Sequence, residues 1–113
     1  MFTCTRATLE GERDTALAAA ERILASGFRD PEGLYFMVRN VSRLGARQPA
    51  LDGLERIVGG GLLVPQVFAE DPWLASLHGE PRFAALRARA EAGAQEARAR
   101  YRACGGPVLL GPP

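Results

Sequence analysis

Asp30-Pro31-Glu32-Gly33-Leu34-Tyr35-Phe36-Met37-Val38-Arg39-Asn40-Val41-Ser42-Arg43-Leu44-Gly45 is the stretch on which the fold turns. Asp30 can cap a helix and Pro31 suits its first position. Leu34, Met37, Val38, Val41 and Leu44 recur at three- and four-residue spacing, which makes one apolar helical stripe. Gly45 is free to take positive φ and so ends the helix. A second helix then begins near Pro49, with Ala50, Leu51, Leu54, Ile57 and Val58 on its buried face, and Gly59-Gly60-Gly61 stops it. Two helices joined by a tight turn form an antiparallel hairpin.

Working outward, the preceding residues repeat this hairpin. Met1–Pro31 laid over Tyr35–Pro65, a shift of 34 residues without a gap, gives ten identical pairs in 31. They are Phe2/Phe36, Gly11/Gly45, Arg13/Arg47, Ala16/Ala50, Leu17/Leu51, Glu21/Glu55, Arg22/Arg56, Ile23/Ile57, Gly27/Gly61 and Pro31/Pro65. Other pairs keep apolar character, including Cys4/Val38, Ala7/Val41, Leu24/Val58 and Phe28/Leu62. Chance alignment of an Ala- and Arg-rich chain gives far fewer identities, so the sequence is a repeat.

A helix hairpin recurring every 34 residues resembles the tetratricopeptide repeat. With Pro31 as first position, Gly45 falls on that family's inter-helix glycine and Ala50 on its small residue at the helix crossing. Leu34, Met37, Val41 and Leu54 take its large apolar positions. Val38 replaces the family's usual small residue, for which looser packing is expected, and the closing proline is displaced by three residues. The resemblance implies an all-α fold of antiparallel helix hairpins, stacked as a short right-handed solenoid with a C-terminal capping helix. Helices are expected at 2–10, 13–26, 31–44, 48–59, 71–78 and 81–103.

The C-terminal third departs from the strict period. Asp71-Pro72-Trp73-Leu74-Ala75-Ser76-Leu77 leads into Pro81-Arg82-Phe83-Ala84-Ala85-Leu86, and together they resemble the closing segment of bacterial tetratricopeptide arrays. Trp73, Leu74 and Leu77, with Phe83, Leu86 and Ala90, are expected to seal the open apolar face of the last hairpin. The domain is therefore read as 1–104, with copies 1–30 and 31–64 and capping helices 65–104. Residues 105–113 show no helical pattern and read as a disordered tail. Met1 pairs with Tyr35, so the first copy starts inside its own first helix. That points to the C-terminal part of a larger protein, or to a small protein that completes its surface by self-association through Phe2, Ala7 and Leu9.

Composition excludes much else. The chain has 113 residues, which limits it to one domain, and a formal net charge of +1 gives no electrostatic drive toward nucleic acid or anionic membranes. All fourteen cations are Arg, so Schiff-base and Walker-lysine chemistry is excluded. Cys4 and Cys104 make neither a metal motif nor a disulfide framework, which favours a reduced, cytoplasmic protein. No apolar run approaches a membrane span, and no signal pattern opens the chain.

Chemistry has little to work with. His78, the one histidine, would need Ser76 or Cys104 as a nucleophile, and reads instead as a helix-end residue. Glu10 with Asp14, and Glu91 with Glu96, read as solvated charge. One His and two distant Cys do not hold a metal. Gly59-Gly60-Gly61 follows a helix and precedes no Lys or Ser/Thr, so it terminates a helix and does not cradle phosphate. Cys104 lies among arginines, the setting of a redox thiol, yet an incidental thiol is the simpler reading. No catalytic, cofactor or metal residue is expected.

The tetratricopeptide resemblance does imply an inner groove, which falls here on Glu32, Tyr35, Arg39, Ser42 and Arg43. The first copy offers Met1, Thr5, Thr8 and Leu9. Tyr35, Arg39 and Arg43 are four apart and share a helical face. An aromatic ring and two guanidinium forks suit an acidic protein or peptide segment, since Arg takes a carboxylate bidentately. The Lys- and Asn-based carboxylate clamp of some family members is absent. The expected function is protein–protein interaction or scaffolding, as the regulatory end of a larger signalling protein. The alternative is a self-associating structural domain, a homodimer through its N-terminal end with no separate ligand.

Overall fold

The computed structural model describes residues 1–112, all helix and connection, with no strand among them. The helices are α1 (Phe2–Leu9), α2 (Arg13–Ala25), α3 (Pro31–Arg43), α4 (Arg47–Gly59), α5 (Pro65–Glu70), a 3₁₀ helix (Pro72–Leu77), α6 (Pro81–Ala103) and α7 (Gly106–Leu110). Local chemistry sets the boundaries. Asp30 Oδ2 accepts the Gly33 N–H at 2.8 Å, capping α3 behind Pro31. Pro49 lies in the first turn of α4, where a missing N–H costs no helical bond.

The bends after α1 and α3 are alike. Gly11 and Gly45 take φ of 77° and 74°, the left-handed region that glycine enters without steric cost. In the first bend Gly11 N–H donates to Thr8 O and Glu12 N–H to Ala7 O, at 3.3 and 2.8 Å. In the second, Gly45 N–H donates to Ser42 O and Ala46 N–H to Val41 O, at 2.9 and 3.0 Å. α1 packs on α2, α3 on α4, and α1 on α3. The radius of gyration is 15.7 Å, where a compact chain of this length has about 13 Å, and the molecule measures 50 × 27 × 21 Å.

The core runs through Leu34, Met37, Val38, Val41, Leu51, Leu54 and Ile57, all essentially inaccessible. The looser packing expected at Val38 is corrected by the residue facing it. A Cβ on Gly53 would lie 2.6 Å from Val38 Cγ2 and 2.8 Å from Met37 Cε. The larger side chain on α3 is matched by a missing one on α4.

Three further expectations need correction. Residues 65–70 form a helix, begun by Pro65. Residues 72–77 are 3₁₀ where an α-helix was expected, because Asp71 is extended (φ −66°, ψ 114°) and Pro72 lacks the N–H to continue α5. The tail is not free of helix: Gly105, at φ 75°, reverses the chain after α6, and α7 follows with Pro107 in its first turn. Tyr101 Oη donates to Gly111 O and holds α7 against α6. Of the tail expectation, Pro113 lies outside the described residues.

The 34-residue stride continues into the C-terminal third. Pro65, Ser76 and Gly79 each stand that far after Pro31, Ser42 and Gly45, and the Ser42 and Ser76 hydroxyls meet at 3.0 Å. Phe68 is buried in the third copy as Leu34 is in the second. The 3₁₀ helix packs on α3, and α6 packs on α4 and α5. Leu74, Leu77, Phe83, Leu86 and Ala90 are buried there as expected. Trp73 is not part of that seal.

Candidate partner-binding face

Trp73 lies on the face of α3 that carries Tyr35, Arg39 and Arg43. The guanidinium carbons of Arg39 and Arg43 stand 4.6 and 4.5 Å from its ring centroid, well inside cation–π range. The one-turn spacing of the two arginines brings both to a single ring.

Asp71 organises the rest. Its side chain is only 7% exposed, so its charge needs partners. Asp71 Oδ1 accepts the Trp73 N–H at 2.9 Å, which starts the 3₁₀ helix and fixes the ring's position. Asp71 Oδ2 accepts from Tyr35 Oη and lies 2.7 Å from Arg39 Nε. The Arg39 N–H points off that line, so the contact is an ion pair and leaves the buried Nε without a directed hydrogen bond. Burial, followed by the hydrogen bond and charge of Asp71, pushes the Tyr35 phenol well above its ordinary value, with Arg39 opposing. The ring of Tyr35 packs against Phe68 at 5.9 Å between centroids.

The expected groove residues thus divide. Tyr35, Arg39 and Arg43 are brought together. Ser42 is buried; its carbonyl accepts the Ser76 hydroxyl at 2.9 Å, so it joins two copies and faces no groove. Glu32 is exposed and makes no ion pair or hydrogen bond among the described residues. Arg39 is committed to the chain's own carboxylate. Arg43 is exposed and has no ion pair among the described residues, so its five N–H donors can take an external acceptor. Around Trp73, then, two cations, Arg39 and Arg43, stand against the one carboxylate of Asp71.

Behind it, buried Asn40 donates from Nδ2 to Thr5 Oγ1 at 2.9 Å and ties α3 to α1. At the N-terminal end Phe2 and Leu9 are 91% and 64% exposed. Ala7, grouped with them from the sequence, is 1% exposed and leaves that surface. It occupies the position of buried Val41, on the side of α1 that faces the core.

Asp71 and Trp73 were not recognised as functional from sequence. The stride from Ser42 to Ser76 was the available signal, since it sets Trp73 opposite Arg39. His78 stacks on Phe83 with 5.4 Å between ring centroids, and no hydrogen bond joins it to Ser76. Cys104 is exposed and Cys4 buried. Among the described residues no group of three His, Cys, Asp or Glu side chains could hold a metal, and no helix is long and apolar enough to cross a membrane. Comparison with protein-family models, curated proteins and solved structures finds no match to this chain.

Proposed function

We propose that this chain is a short tetratricopeptide-like array that binds an acidic segment of another protein across the α3 face, without a catalytic step. The observation that carries this reading is Arg43: a charged, exposed guanidinium stacked on Trp73 with no carboxylate of its own. A carboxylate approaching there gains a charge-assisted, bidentate contact, while Trp73 fixes the fork's orientation in advance. The bends at Gly11 and Gly45, and the side-chain bonds from Thr5 to Asn40 and Ser42 to Ser76, support the repeated-hairpin architecture behind it. A cytoplasmic setting, on the strength of the two unpaired cysteines, and a regulatory place in a larger signalling protein, on the strength of the family resemblance, belong to the same proposal.

The test uses a fluorescent peptide rich in Asp and Glu, with its Asn/Gln counterpart as control. The acidic peptide should bind more tightly as salt is lowered, and the amide peptide should not bind. Arg43→Ala should weaken binding about tenfold, the loss of roughly 1.4 kcal/mol in one charged contact. Equal affinity of the variant and the wild type for the acidic peptide would reject the proposal.

A further inference from the structure

We infer that the seam between the first two copies is a binding site for a small aromatic carboxylate, its ring lying among Leu24, Phe28 and Leu34 and its anionic end taken by Arg29 and Arg56. A cavity of about 540 Å³ lies there, between the last turns of α2 and α4 and the connection into α3. That volume is in the range of roughly 300–1,000 Å³ that holds small organic ligands.

Local bonds fix the apolar wall. Ser26 Oγ donates to Ile23 O at 2.8 Å and accepts the Phe28 N–H at 3.3 Å, while Gly27 turns the chain at φ 77°. The Phe28 ring then lies against the backbone of Gly33. A Cβ on Gly33 would stand 2.7 Å from Phe28 Cε1 and Cζ, so the missing side chain gives the ring its seat. Leu34 is buried and Leu24 half-buried, but Phe28 stays 39% exposed and can stack on a second ring.

The charged part of the wall is cationic. Arg56 Nη1 donates to Leu24 O at 2.7 Å, a bond from the second copy to the first, and the rest of its five N–H donors make no hydrogen bond among the described residues. Arg29 is exposed and has neither an ion pair nor a side-chain hydrogen bond among them. Among the described residues no acidic side chain lines the cavity. The acids around it are engaged or lie outside it. Asp30 caps α3 through the Gly33 N–H. Asp52 and Glu55 line a neighbouring depression, where Arg82 holds them at 2.8 and 2.7 Å. Glu21 lies with them, followed in the chain by the unpaired cation Arg22, and Glu32 is exposed on the first turn of α3. The C-terminal ends of α2 and α4 bring roughly half a negative charge each, which two full guanidinium charges exceed. Two forks beside an apolar wall reject a cation and suit a carboxylate, which either can take bidentately. The whole site comes from residues 24–60 and none of it lies on the Tyr35, Arg39 and Arg43 face, so the inference stands apart from the proposed peptide site.

Naphthalene-2-carboxylate is the probe, and its uncharged carboxamide is the control. Titrated into the full chain and followed in amide correlation spectra, the carboxylate should move the resonances of Gly27, Gly59 and Gly60 along one saturable curve. Half-saturation is expected at about 1 mM, which a ligand of about thirteen non-hydrogen atoms reaches at ordinary ligand efficiency. The carboxamide should bind about tenfold more weakly. Arg29→Ala breaks no contact, so it should melt as the wild type does and weaken the carboxylate about fivefold. Gly59→Glu sets a carboxylate on the wall, at a position where a Cβ meets nothing within 4 Å, and should weaken it as well. Arg43→Ala should bind the probe as the wild type does. Glycine resonances that stay in place, equal binding of acid and amide, unchanged affinity in both Arg29→Ala and Gly59→Glu, or loss of binding in Arg43→Ala would each overturn the inference.

Discussion

Replacing Gly53 by alanine sets two effects of opposite sign against each other. In an exposed helix the substitution stabilises by about 0.5–1 kcal/mol, because alanine loses less backbone entropy. Here the new methyl would stand 2.6 Å from Val38 Cγ2, where unstrained carbons sit at roughly 3.5–4.0 Å. Met37 Cε, at 2.8 Å, ends a flexible chain and can swing away. Val38 cannot, since a β-branched residue in a helix has essentially one χ1 rotamer. Relief therefore requires α3 and α4 to separate, at the roughly 1–3 kcal/mol typical of overpacking. The net expectation is a loss of about 1–2 kcal/mol, or roughly 5–10 °C in Tm for a domain of this size. Thermal and urea unfolding followed by circular dichroism would measure it. Val38→Ala alone should also destabilise, by leaving a cavity. The double variant should be more stable than the two single losses predict when summed, by about 1 kcal/mol or more, because the methyl then occupies that cavity. A higher Tm for Gly53→Ala would show that propensity governs the site and would refute the matched Val38–Gly53 contact.

Arg39 and Arg43 should behave differently in urea unfolding. Arg39→Ala removes the one cation paired with the buried Asp71 carboxylate, leaving it only the Tyr35 and Trp73 hydrogen bonds, and should cost about 2–3 kcal/mol, whereas Arg43→Ala loses only an exposed stacking contact worth under about 1 kcal/mol. The raised phenol of Tyr35 makes the folded state hold its proton above pH 10, where the unfolded chain releases it. That contribution is complete below about pH 10 and is lost as the pH rises further, so Tyr35→Phe should be less stable at neutral pH yet show a shallower alkaline decline in Tm. The two thiols should separate under a chromogenic disulfide reagent: exposed Cys104 reacts at once, and Cys4, whose pKa burial raises, reacts only as the protein opens.

What could be read from the sequence was whatever local geometry controls. Apolar stripes, the Asp30-Pro31 start and the helix-ending glycines act within a few residues, so the first four helices emerge within a residue or two. The Val38–Gly53 match lies across a helix pair, and a one-helix stripe does not reveal which side chain faces which. Asp71-Pro72 splits the third copy's first helix in two and hides its stride, and with it the place of Trp73 beside the arginines. α7 is too short for a period to show. The arginine and tyrosine positions were visible because four-residue spacing alone puts them on one face. Their main partner was not, since it lies 36 residues away from Tyr35 along the chain. Ala7 was misplaced although its pairing with Val41 already marked it as buried.

Trp73 is the chain's single tryptophan, which makes its surroundings directly observable. Nuclear Overhauser contacts from its indole protons to the δ-methylenes of Arg39 and Arg43 would report whether the third copy lies along the second. Stacking predicts both sets of cross-peaks, with the methylene resonances moved upfield by the ring. Unshifted arginine resonances and an indole without contacts to α3 would contradict it.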